Sequence, residues 1–214
     1  MTRVRRVGAF ALVVIVAAGC GGSSGGSLTT TSSTGPVARP EVARVLPTAK
    51  DLLALEATTY RSPEGFVPSI TVEVPAGWSS VHRYDDAFDI TQPDPARDAP
   101  AVAVIWMTPD APTAGAALGR LKGVAGAAAH PVTGRIGTTD ALGMDVTDGT
   151  GTLVESVRKG ISIDAAEGQR VRVLGADVGG KPLLVLILVP VAADWDAQLA
   201  KALPLVESVT PVSP

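Results

Sequence analysis

The sequence predicts an α+β sandwich, an antiparallel sheet with two packed helices, preceded by an export signal and a disordered tether. Three observations carry that expectation. Short apolar runs with strand periodicity recur between glycine and proline turns, two segments show helical apolar spacing, and the chain is apolar through Ala, Val and Leu rather than through rings. Of its 214 residues 46% are hydrophobic, but only 4% are aromatic. A folded part of about 160 residues buries roughly 70% of the surface its unfolded chain exposes, enough for a core without disulfides or metals. With 18 basic and 21 acidic residues the chain has no electrostatic footprint for nucleic acid.

Residues 1–19 open with Arg3, Arg5 and Arg6 and continue through an apolar run from Val7 to Ala18. This is the pattern of an export signal, and about 12 apolar residues are too few for a membrane helix, which needs roughly 18. The run ends Val16-Ala17-Ala18-Gly19-Cys20, which resembles the lipobox of bacterial lipoproteins, with Ala17 at the position Leu usually takes. The resemblance implies that the Cys20 thiol receives a diacylglyceryl group and becomes the first mature residue. Cys20 is the only cysteine, and a solitary thiol in an oxidising compartment is a liability unless it is capped. Loss of the three arginines takes the formal net charge from −3 to −6, which disfavours tight binding to anionic headgroups.

Residues 20–47 are expected to be the tether. From 21 to 35 every residue except Leu28 is Gly, Ser or Thr, a composition that cannot bury enough apolar surface to offset ordering entropy. Its r.m.s. reach as a coil is roughly 20 Å. The domain is expected over 48–214. Leu52, Leu53 and Leu55 suggest a short helix or arm; Ile70, Val72 and Val74 alternate as a half-buried strand; Phe88 and Ile90 suggest a second strand; and 101–107 a third, buried on both faces. A glycine-rich helix follows from Pro112-Thr113 to about Ala128, with Leu118, Leu121, Val124 and Ala125 on one face. Each glycine in it costs about 1 kcal/mol relative to Ala, so it must pack on a sheet. Strands are expected over 139–148 and 153–163. Gly179-Gly180 joins a strand through Val178 to an apolar run at 183–189, a hairpin signal. A last helix from Asp194 carries Trp195, Leu199, Ala202 and Leu203 on a stripe, and Pro204 ends or kinks it.

Thr59-Tyr60-Arg61-Ser62-Pro63, Phe66-Val67-Pro68, Val74-Pro75-Ala76-Gly77-Trp78 and Arg172-Val173-Leu174 with Gly180-Lys181-Pro182 resemble the pattern of exported actinobacterial lipoproteins, many of which are similar to the PsbP-like α/β/α sandwich. The resemblance implies a location and a fold, a binding or accessory role, and no substrate.

Chemistry is sparse. Of two histidines, His82 lies among Ser79, Ser80, Tyr84, Asp85 and Asp86, the residue types of a hydrolase, but no Gly-x-Ser-x-Gly elbow is present; a solvated loop after Trp78 is the plainer reading. His130 precedes Pro131 at an expected helix end, where a basic side chain suits the dipole. Asp85, Asp86, Asp89, Asp94 and Asp98 lack the turning array of a calcium loop, and Asp148-Gly149-Thr150-Gly151-Thr152 lacks a P-loop lysine. No metal and no cofactor are expected. Six of eight aromatics fall between positions 60 and 106, as core or as the wall of a pocket. The pocket version makes Trp78, Tyr84, Phe88 and Trp106 the ligand contacts. The functional expectation is a non-enzymatic, lipid-anchored binding or accessory module of the bacterial cell envelope, on the extracytoplasmic face. Its partner would be an envelope protein or a small apolar ligand. The alternatives are a carrier of lipid in an internal pocket and a hydrolase using His82.

Overall fold

Val, Leu and Ile in alternating positions form a sheet of eight strands, the centre of the structure. The computed structural model describes residues 43–47, 52–84, 86–96, 100–146 and 169–213, without the side chains of 81–84, 124 and 127. All belong to one unit from Glu41 to Pro214. Its elements in chain order are β1 (Arg44–Val45), β2 (Leu53–Ala54), β3 (Thr58–Arg61), β4 (Ile70–Val74), β5 (Ser79–Tyr84), β6 (Ala87–Pro93), β7 (Pro100–Met107), α1 (Ala114–Ala125), β8 (Ala129–Ile136), β9 (Thr139–Val146), β10 (Gln169–Val178), β11 (Lys181–Pro190), α2 (Trp195–Glu207) and β12 (Thr210–Pro211). The large sheet runs β2-β5-β6-β7-β11-β10-β9-β8 and is antiparallel throughout; a second sheet runs β1-β3-β4-β12.

β11 has β7 on one side and β10 on the other, and residues 183–189 are all buried. Period two sends Leu184, Leu186 and Leu188 to one face, where Ile105, Met107, Val171 and Val173 join them beneath Ala117, Leu118 and Leu121 of α1. It sends Leu183, Val185, Ile187 and Val189 to the other face. There Leu199, Ala202, Leu205 and Val206 of α2 share the covering with Tyr60, Ile70, Val72 and Val74 of the second sheet. The turn Gly179-Gly180 has positive φ at both residues, as a two-residue hairpin of this hand requires.

The structure corrects the fold class. Strands take 50% of it and helical residues 19%, so a sandwich of one sheet with two packed helices does not describe it. The added strands are those with weak patterns. β1, β2 and β12 have two residues each. β1 also lies inside the stretch expected to be tether, with Leu46 beside it 1% exposed. β2 replaces the expected arm, and β5 replaces the loop after Trp78, with Ser80 Oγ donating to Asp89 O at 2.8 Å. β8 begins where the helix was expected to end: α1 closes at Gly126, whose N–H bonds Lys122 O, and His130 stands opposite Asp145 in a strand rather than on a helix terminus. Pro204 lies inside α2, which continues to Glu207. Residues 147–168, including the expected strand at 153–163, lie outside the described residues.

The β8–β9 turn is tied to the end of α2. Gly137 has φ +58°, its N–H donates to Val206 O at 2.9 Å, and a Cβ there would stand 2.0 Å from Val209 O. A backbone carbonyl cannot yield as a side chain can. Gly137→Ala is therefore expected to combine left-handed strain with overpacking, lowering stability by about 2 to 4 kcal/mol and Tm by roughly 5 to 15 °C. Gly180→Ala, also at positive φ but with nothing within 4 Å of the new Cβ, should lose only the strain component. Equal thermal shifts in the two variants would refute the close approach.

Candidate functional site

Of the residues expected to contact a ligand, Trp78, Phe88 and Trp106 are in the core. Trp78, Phe88 and Trp106 are 3%, 1% and 0% exposed. Phe66 meets Phe88 edge-on at 4.9 Å, and Phe88 stacks on Trp106 at 5.0 Å with the rings 10° from parallel. These rings belong to the buried cluster between the large sheet and its α2-side covering, and none of the three lines the cleft described below. The Trp106 indole N–H is buried with no hydrogen-bond partner, which fits a ring retained for its apolar area. Tyr84 and His82 lie on β5, and their side chains, like Cys20, Asp85 and Asp98, are outside what is described. His82 on β5 and His130 on β8 are separated by five intervening strands. At one strand spacing per step the two are roughly 29 Å apart and cannot share a site. Among the described residues no three His, Cys, Asp or Glu side chains come together as a metal site.

A polar cluster that periodicity did not reveal sits at the start of α2. Arg172 on β10 grips Asp145 on β9 with two bonds, both 2.7 Å, and these two side chains are each 19% exposed. Trp195, the first residue of α2, lies 5.8 Å from the Arg172 guanidinium and 5.4 Å from that of Arg170, within cation–π range. Arg170 Nη2 donates to Val191 O and Ala193 O at 3.2 and 3.1 Å. The hydrogen bonds that Arg172 donates to the Asp145 carboxylate raise the Arg172 pKa above its ordinary value, against the opposing effect of burial. With the folded value raised, this contribution to stability is complete below the unfolded arginine value and is lost only in strong alkali. The cluster anchors α2 to β9 and β10, with Arg170 Nε left buried and without a hydrogen-bond partner.

An apolar opening lies on the opposite face of the large sheet. Thr113 caps α1, accepting from Ala116 N at 3.1 Å, and Asp177 at the end of β10 accepts from Ala114 N at 2.8 Å. So anchored, α1 lies over β10, β11 and the Met144–Val146 part of β9, and leaves Leu142 of β9 exposed beside it. Between the helix and the β8–β9 strands runs an apolar cleft of about 150 Å³. Leu118 and the bare backbone at Gly115 and Gly119 form one side, Pro131, Leu142 and Met144 the other, and Lys122 completes the lining. A Cβ on Gly119 would meet nothing within 4 Å. Leu142 is 64% exposed and borders two adjoining hollows toward Thr133 and Gly134. The sequence signal for this cleft was the spacing of Gly115, Leu118, Gly119 and Lys122, which share one helix face.

No family model matches the chain, and no curated protein matches it. Four solved chains do. One, a crystal structure from Bacteroides thetaiotaomicron, is similar over 74% of this chain at 12% identity with a TM-score of 0.46, and the match spans 50% of that chain.

Proposed function

We propose that the chain is a non-enzymatic binding module of the bacterial cell envelope, exported, held to the extracytoplasmic face of the membrane by lipid on Cys20, and recognising an apolar ligand in the cleft between α1 and β9. The observation that carries this reading is the cleft itself: an open apolar recess beside a leucine that is 64% exposed. A large exposed apolar side chain at the mouth of a concave apolar surface marks a binding site more often than an isolated exposed residue does. The location rests on Arg3, Arg5, Arg6, the apolar run and Cys20. No helix among the described residues is long and apolar enough to cross a membrane.

Gly119→Leu tests the site, because it plugs the cleft while improving helix propensity by about 1 kcal/mol. With the full chain carrying Cys20→Ser, so that detergent is unnecessary, the neutral dye Nile red is expected to bind saturably. Adding Gly119→Leu should weaken binding at least tenfold and leave Tm unchanged or higher. Undiminished dye binding by a folded Gly119→Leu protein would remove the cleft from consideration.

A further inference from the structure

We infer that the ligand of this cleft is a single-chain amphiphile with an anionic head, its head at Lys122 and its tail running along α1 toward Leu142. The inference rests on the cleft being a ligand site. Its first ground is size. A volume of about 150 Å³ is that of a small apolar cavity able to hold a six-carbon ring. A protein partner would need roughly 800 Å² of contact on each side. The cleft proper therefore has room for about six carbons of one chain and not for two chains side by side, and the rest of a longer chain would lie in the open hollow that adjoins at Leu142, lined by Pro131, Val132, Thr133 and Gly143.

The second ground is charge. Lys122 is the one ionisable residue in the lining, and among the described residues the ion pairs formed engage Arg44, Arg135 and Arg172, not Lys122. An ammonium beside an apolar recess complements a carboxylate or phosphate on a molecule whose remainder is hydrocarbon, and repels a cationic head.

The third ground is direction. α1 leads through Gly126–Ala128 into Ala129, the first residue of β8, and Ala129 pairs with Val146 while Pro131 pairs with Met144 and Thr133 with Leu142. The Lys122 end of the seam is thus the Ala129 end, and Leu142 lies farther along toward the hairpin tip. Within the cleft Lys122 stands at one end and the exposed side chain of Leu142 at the other, the arrangement an amphiphile has, while the ion pair of Arg135 and Asp140 lies in the farther hollow beyond Leu142.

The test uses the full Cys20→Ser chain at low ionic strength with three probes of equal tail: decanoate, decan-1-ol and decyltrimethylammonium. Decanoate is expected to bind most tightly and the cation least. Lys122→Gln should weaken decanoate about threefold to fivefold, the size of an exposed ion pair, and leave decanol unchanged, whereas Lys122→Glu should raise the affinity of the cation above that of decanoate. If Lys122→Gln leaves the decanoate affinity unchanged, or if all three probes bind equally, the anionic head is refuted while the apolar cleft stands. If no probe binds, or if Gly119→Leu binds all three as before, the cleft reading fails and this inference with it.

Discussion

Leu186→Asp is expected to leave no folded protein. Leu186 is 0% exposed on β11, with Val173 of β10 opposite on one side and Ile105 of β7 on the other, in the cluster that α1 covers. A carboxylate there has no cation among these neighbours, so it must stay charged without a partner or be held protonated against its solution preference. Either costs several kcal/mol, added to the packing lost with the leucine, against a typical total stability of about 5 to 15 kcal/mol. Circular dichroism and a thermal melt read the outcome. Leu142→Asp supplies the comparison, since Leu142 projects from the same face of the same sheet but is 64% exposed. That variant should keep its Tm within about 2 °C, because surface substitutions usually fall within about 0.5 kcal/mol. A folded Leu186→Asp protein with unchanged Tm would place β11 at an edge and overturn the sheet order.

Leu142 and Met144 show where sequence reasoning stops. They alternate on β9 as two apolar residues of similar weight, yet one is 64% exposed and the other 4%. The difference lies in how far α1 reaches across the sheet, which is a property of the assembled layers. Where local pattern suffices, it was readable: Ile70, Val72 and Val74, the unbroken 183–189 run and the glycine turn before it all fall in strands or turns at those places, and Asp194 caps α2 as its side-chain bond to Ala197 N shows. The fold class was not readable, because the strands that shift the balance carry little pattern of their own. Thr58–Arg61 is mostly polar, β8 contains Pro131 and Gly134, and the two-residue strands are held by partners more than 10 residues away in sequence or across the structure. The aromatic cluster was visible as a cluster, but whether rings line a pocket or fill a core depends on the layer facing them. Here that layer includes a second sheet the sequence barely signals.

Replacing one sulfur by oxygen at residue 20 is expected to move the whole protein. In the proposed anchor, Cys20 carries two acyl chains, each buried methylene contributing about 0.8 kcal/mol; one chain alone binds a membrane marginally, while two hold it stably. Serine cannot form the thioether, so Cys20→Ser removes both chains at once. The remaining chain then has only its tether and an acidic domain to offer an anionic surface, with a formal charge of −6 once the three signal arginines are gone. Electrostatics opposes the membrane instead of helping it. The unmutated protein should sediment with membranes, and its mature mass should include a diacylglyceryl group on a chain beginning at Cys20. Cys20→Ser should either appear in the soluble fraction or persist as a precursor retaining residues 1–19. A lipid-free mature mass for the unmutated protein, or membrane association undiminished by Cys20→Ser, would end the lipoprotein reading and leave the cleft to act in a freely diffusing domain.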